Sequence, residues 1–250
     1  MAGTALKTGR VQNVQKQLFC EEDFFPFQGV IFALFKWNSI PNRYPLKPMP
    51  FKKLHTNILE RLERLDIATP TPFQRRSIPV IKSGANVFCT APKDSGKTTT
   101  LILTTLQKLK CEAVGNAPRA VVLVENKEKA MELYQEFLRY TKYNSLRVYV
   151  GYEELHIDIQ KSEIFEGVDI LISTPKTMNK LFLLNGVSTS QLKIFSIDDA
   201  EFLIQKSDSS AIISITQSIQ KCQYVLYTEE LHPKIKRFES YFMEHSRIVQ

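Results

Sequence analysis

Cysteine is scarce in this sequence and never paired. Cys20, Cys89, Cys111 and Cys222 are scattered through 250 residues with no C-x-x-C spacing, which argues against a zinc site and against a disulfide-stapled secreted domain and favours a reducing compartment. Long apolar runs are missing too. The most apolar stretch, FFPFQGVIFALFKW at residues 24–37, is too short to span a membrane, contains Pro26, and lies too far from Met1 for an ordinary signal peptide. It reads as buried structure or as a partner-facing surface, and no membrane partner is expected. No internal repeat or low-complexity tract interrupts the chain. An acidic balance is likewise absent: 33 Lys and Arg stand against 26 Asp and Glu, giving a net charge of +7 and a pI near 9.1. That favours a polyanionic partner without selecting one.

What is present suffices for one sizeable core. With 43% apolar residues, the chain can hold one α/β domain and an extension. Residues 1–23 are polar, basic at the outset and weakly periodic. Aromatic density then rises, and IPNRYPLKPMP follows, whose four prolines suit an extended linker and place a boundary near residue 50. Residues 1–50 are thus expected to be an extension and residues 51–250 a folded lobe. Leu54, Ile58, Leu59 and Leu62 share one face of a predicted helix running towards Asp66. Buried-strand patterns follow at residues 85–90, 119–125, 145–152, 168–174, 192–198 and 222–228, separated by helices or loops, with KEKAMELYQEFLRYT the clearest amphipathic helix. A helix-like IKRFESYF precedes a last strand in SRIVQ. Alternation of this kind predicts a doubly wound, mostly parallel sheet with ligands at the carboxyl ends of its strands.

The stretch that organises the chain is APKDSGKTTT, residues 91–100. It lies between an apolar strand and a leucine-rich helix, the context a phosphate-binding loop requires. Backbone N–H groups of Ala91, Pro92, Lys93, Asp94, Ser95, Gly96, Lys97, Thr98 and Thr99 (Pro92 excepted) can surround phosphate oxygens; Lys97 can neutralise the β and γ phosphates and the Thr98 hydroxyl can reach Mg²⁺. A Cβ on Gly96 would obstruct the approach of backbone to phosphate. Taken alone, the stretch could still be an ordinary strand-to-helix turn.

Read with the upstream PTPFQ of residues 70–74, the series PTPFQ…IP…G…APKDSGKT resembles the opening of the DEAD-box RNA helicases, in which a glutamine motif precedes a loop that begins with alanine. The resemblance implies a RecA-like first lobe that binds ATP with Mg²⁺ and the backbone of single-stranded RNA. It assigns Gln74 to the adenine edge, Phe51 to the upstream aromatic position, and Asp198-Asp199-Ala200-Glu201 to the D-E-A-D box. Asp198 is then the carboxylate associated with Mg²⁺, and Asp199 stands where a glutamate positions the attacking water. Lys97, Asp198 and Asp199 are the catalytic candidates, with Thr98 and Asp198 at the metal. Lys127, Gly151, Thr174 and Lys176 match, in ENKEKA, the double-glycine element and STPKTM, the loops with which the family grips RNA phosphates.

The departures are as informative as the matches. Lys93 and Asp94 replace Thr-Gly, placing a carboxylate beside a polyanionic ligand and removing a glycine from a tight turn. Ile67 stands where an aromatic is usual. Asp199 is one methylene short, and a water about 1 Å out of place can cost about a hundredfold in rate. Thr228-Glu229-Glu230 replaces Ser-Ala-Thr, which puts two acidic groups in a site expected to be neutral. The second lobe's motifs are not seen, so the chain is expected to be a fragment, a short isoform, or a module acting in another way.

Two readings follow: an ATP-dependent RNA helicase lobe with weak or no hydrolysis on its own, and a degenerate lobe that serves as an RNA- or protein-binding scaffold. A third, an unrelated P-loop kinase or small ATPase, leaves PTPFQ and STPK unexplained. Within the family the degraded boxes look like the helicase-like region of Tudor-domain proteins of the germline piRNA pathway, which implies Piwi or Tudor partners and a cytoplasmic, granule-associated site, with the nucleus left open.

Overall fold

The computed structural model describes Phe51 and residues 53–250, so the expectations for residues 1–50 lie outside the described residues. Two short helices come first. In α1, Thr56–Arg64, Ile58 and Leu62 are buried while Glu63 and Arg64 face solvent, so the predicted apolar face is the one that packs. α2, Pro72–Lys82, starts at a capping box: Thr71 Oγ1 accepts from the Gln74 N–H, Gln74 Oε1 accepts from the Thr71 N–H, and Pro72 occupies the first turn.

The chain then alternates strand and helix. β1 (Val87–Thr90) leads to α3 (Lys97–Leu109), β2 (Ala120–Leu123) to α4 (Lys127–Thr141), and β3 (Val148–Gly151) to α5 (Ile157–Gly167). β4 (Ile170–Ser173) leads to α6 (Pro175–Leu183), β5 (Ile194–Ile197) to a 3₁₀ turn at Ala200–Ile204 and α7 (Lys206–Gln217), and β6 (Gln223–Thr228) to the short α8 (Pro233–Lys236). A 3₁₀ turn at Arg237–Ser240 and β7 (Arg247–Val249) close the lobe. Each expected strand is present, and all seven run parallel in the order β3-β4-β2-β5-β6-β1-β7.

Burial on both faces accounts for the near-continuous apolar runs. In β2, Ala120 and Val122 enter one core with Leu101, Leu106 and Phe137, whereas Val121 and Leu123 enter the other with Met178, Ile212 and Ile235. The two-residue period of a strand thus feeds two helical layers. At the amino edge of the sheet, Asp169 is fully buried between two arginines: it accepts from Arg119 Nη2 at 2.6 Å and from Arg147 Nε at 2.8 Å. Burial pushes its carboxyl up, and hydrogen bonds from Arg147 and Arg119 more than offset this, leaving it below the usual carboxylate range. The opposite edge, at the carboxyl ends of the strands, carries every residue singled out from the loop motifs.

Candidate functional site

The loop after β1 is strapped from two sides. The Ala91 N–H donates to Thr228 O at 3.1 Å, tying the loop to β6, and Thr71 Oγ1 donates to Ser95 O at 2.7 Å, tying it to the start of α2. Lys97 opens α3 and is 6% exposed. Its Nζ donates to Ala91 O at 2.7 Å and Pro92 O at 3.2 Å, so the loop's own carbonyls satisfy an ammonium that burial would otherwise penalise.

Gln74 is buried, and its carboxamide is engaged within the protein. Beyond the capping box, Nε2 donates to Gly96 O at 3.4 Å. Gly96 has φ +92°, and a Cβ there would stand 2.5 Å from Gln74 Nε2; the glycine therefore makes room for the glutamine as well as for a ligand. One donor and one acceptor site on the carboxamide remain. Phe51 packs in the core with Leu54 and Ile58, and Ile67 is half-buried against the same cluster. Asp94 takes the left-handed conformation, φ +60°, so the turn that favours glycine is retained without the glycine.

Between this loop and residues 229–231 lies a cavity of about 700 Å³, lined also by Phe73 and Arg76. Arg76 escaped the sequence reading; its place two residues beyond Gln74 on α2 was the available signal. Lys93 Nζ stands 3.7 Å from Glu229 Oε1 in an exposed pair.

Asp198 follows β5 and is 9% exposed. The Thr98 hydroxyl donates to its Oδ2 at 3.3 Å, a contact between residues 100 positions apart, while Oδ1 is buried with no hydrogen-bond partner. Burial and then the neighbouring charge of Asp199 push the Asp198 carboxyl up to about 7, against the opposing pull of the Thr98 hydroxyl and the Lys97 ammonium. A hydroxyl and a carboxylate with an unused buried oxygen are an all-oxygen set that fits a hard divalent cation. Asp199 is left-handed at φ 45° and ψ 61°, with its carboxylate half exposed and 3.9 Å from Lys129 Nζ on α4.

Thr228, expected beside two acidic groups, sits in a different arrangement. Its hydroxyl is 2.7 Å from Glu201 Oε1 and 2.7 Å from the Glu230 carbonyl. The side chain of Glu229 turns instead to Lys93. The carboxylate at the Thr228 hydroxyl is thus Glu201, from the Asp198–Glu201 box, because that box follows the neighbouring strand β5.

The third group of residues surrounds a cleft of about 280 Å³ at the ends of β2, β3 and β4, lined by Lys127, Lys176, Glu153 and Glu154 among others. Lys127 opens α4, with Nζ 3.8 Å from Glu154 Oε1 and 4.9 Å from the Tyr152 ring centre. Thr174 caps α6 by accepting from the Thr177 N–H at 3.3 Å, and its hydroxyl donates to Glu153 Oε1 at 2.8 Å. Lys176 is exposed; Gly151 is buried, and a Cβ there would meet Gln160 Oε1 at 2.6 Å. The fold therefore brings Lys127 and Lys176 to one cleft, with Thr174 buried and joined to it through Glu153, and Gly151 closely packed against Gln160.

An all-parallel sheet between two helical layers, whose strand ends present a lysine-bearing loop, a carboxylate box and a glutamine strap, defines a P-loop protein of the RecA-like kind. A model of the DEAD/DEAH box helicase family matches residues 71–230, and the chain belongs to that family. It is 26% identical over 185 residues to a probable ATP-dependent RNA helicase, ddx42, of Dictyostelium discoideum, covering 72% of this chain and 19% of that protein. To the pre-mRNA-processing ATP-dependent RNA helicase prp-5 of Neurospora crassa it is 26% identical over 199 residues, covering 75% of this chain and 17% of the relative. The chain thus spans about a fifth of the length of these relatives. The crystal structure of a DEAD box protein from the hyperthermophile Methanococcus jannaschii superposes with a TM-score of 0.72 at 19% identity, over 78% of this chain and 53% of that one, and shows the same fold. These relatives lend no support to Tudor or Piwi partners.

Proposed function

We propose that this lobe binds ATP with Mg²⁺ at the loop of residues 91–99 and the backbone of single-stranded RNA at the cleft beside α4 and α6, with weak or no hydrolysis on its own. The observation that carries the reading is the meeting of Thr98 and Asp198 from two separate strand ends, with the Lys97 ammonium near enough to act on the Asp198 charge. Lys97 exchanges its contacts with Ala91 O and Pro92 O for phosphate oxygens, at little cost in desolvation because it is already buried. Thr98 and Asp198 are the residues that would hold Mg²⁺, which on binding supplies charge neutralisation at the β and γ phosphates. Gln74 offers its remaining donor and acceptor to adenine and fixes the loop from behind. Lys127, Thr174 and Lys176 hold RNA phosphates, and Gly151 lets the chain pass closely beneath them.

Asp199 is the weak member. With its short side chain drawn to Lys129, it is poorly set to orient a water, which favours as a second reading a lobe that binds without turning over. Calorimetric titration of ATP and ADP with Mg²⁺ into the full chain tests the first reading. Binding that Lys97→Ala and Gln74→Ala both weaken supports it; no heat at millimolar nucleotide rejects the nucleotide site and leaves a scaffold.

A further inference from the structure

Two carboxylates already occupy the groups that RNA phosphates would need. Thr174 is 1% exposed and has one hydroxyl proton, and that proton goes to Glu153. The Lys127 ammonium is matched by Glu154, with Tyr152 beneath it. A carboxylate resembles a phosphate edge in hydrogen-bonding terms, a planar pair of anionic oxygens about the right distance apart to take a hydroxyl or an ammonium. Further acidic side chains, Glu125, Glu128 and Asp208, line the same cleft against Lys127 and Lys176, so the cleft is negative although the chain as a whole is basic.

The loop that carries both glutamates is fixed at its base. Gln160, fully buried on α5, donates from Nε2 to Tyr152 O at 3.0 Å and to Leu155 O at 2.8 Å. Entry of a phosphate therefore requires rotation of the two side chains rather than opening of the loop. The two contacts differ in strength: Lys127 and Glu154 form an exposed pair that salt screens, whereas Glu153 is held by a buried hydroxyl.

We infer that Glu153 and Glu154 are built-in phosphate mimics that set how strongly this lobe holds RNA, by occupying Thr174 and Lys127 until a phosphate displaces them. The inference rests on the RNA reading given under Proposed function, and the test separates the two. Fluorescently labelled oligouridylate is titrated into the full chain at one fixed ionic strength and followed by anisotropy. The variants are Glu153→Ala with Glu154→Ala, Glu154→Ala, Lys127→Ala, Lys127→Ala with Glu154→Ala, and a distant charge control, Glu63→Gln with Glu112→Gln. Removing two unit charges a few ångströms from a phosphate in partly aqueous surroundings should tighten binding about tenfold. The control should stay within about twofold, and the Lys127→Ala penalty should be larger when Glu154 is absent. If the native chain binds and Lys127→Ala weakens it, yet the double glutamate variant binds no tighter than the control, the mimicry is overturned and the RNA site stands. If neither the native chain nor the double glutamate variant binds, both fall together.

Discussion

The side-chain nitrogen of Gln74 lies 2.5 Å from the point at which a Cβ on Gly96 would stand, so the glutamine motif and the phosphate-binding loop exclude each other's larger side chains. Gly96→Ala should therefore cost more than the strain of an alanine at φ +92°: about 1–3 kcal/mol in urea denaturation, with nucleotide binding lost. Gln74→Ala in the same chain should recover part of that stability but none of the binding. Equal losses with and without Gln74 would show that the two residues do not compete for space.

Asp94 keeps the left-handed turn at φ +60° without glycine and lines the cavity beside the loop. Asp94→Gly should relax the turn and remove a negative charge from the neighbourhood of a polyphosphate, tightening ATP about tenfold in calorimetry. The stability change should stay within about 1 kcal/mol, because relief of strain is offset by the entropy of an added glycine.

The Asp198 carboxyl, pushed up to about 7 by burial and by Asp199, gives two opposite pH dependences. On the proposed reading nucleotide with Mg²⁺ needs the carboxylate, so affinity should rise between pH 6 and pH 8. Stability without ligand runs the other way. The folded state holds this proton more tightly than the unfolded chain does, so the group destabilises increasingly as pH rises from about 4 and fully above about 7. Asp198→Asn should therefore stabilise the unliganded lobe by roughly 1–3 kcal/mol at pH 8 and hardly at all below pH 4, while abolishing Mg²⁺-dependent binding.

Asp169 tests the frame that holds the site. Its depressed carboxyl contributes stability that is present above the unfolded value near pH 4 and lost as pH falls below it. Asp169→Asn leaves Arg119, 2% exposed, without its anion and should cost about 3–5 kcal/mol at pH 7. Urea denaturation at pH 7 and pH 3 should show the gap between native and variant narrowing in acid.

Much of this was legible beforehand. The strand at residues 119–125 and the helix KEKAMELYQEFLRYT are set by local periodicity, and α4 runs over Lys127–Thr141 as read. The motif residues after β1, β2, β4 and β5 all reach one edge, because parallel strands place their carboxyl ends together. Harder to foresee was which acid meets which partner. Thr228-Glu229-Glu230 looked like a cluster of charge, yet Glu229 turns to Lys93 and Glu201 takes the Thr228 hydroxyl. Glu153 and Glu154 carried no motif at all, and Arg76 gained its place only from the cavity beside it.

The sequence by itself determined the elements, their parallel order of strand and helix, and the family, since backbone propensity, apolar spacing and loop motifs are properties of neighbouring residues. Tertiary structure decided the chemistry of the site. Thr98 meets Asp198 across 100 positions, Gln74 is buried against Gly96, and the side chains of Lys127 and Thr174 are each held by one of the protein's own carboxylates. Charge, desolvation and steric exclusion act through space over a few ångströms, and which side chains come that close is fixed only when the sheet is assembled.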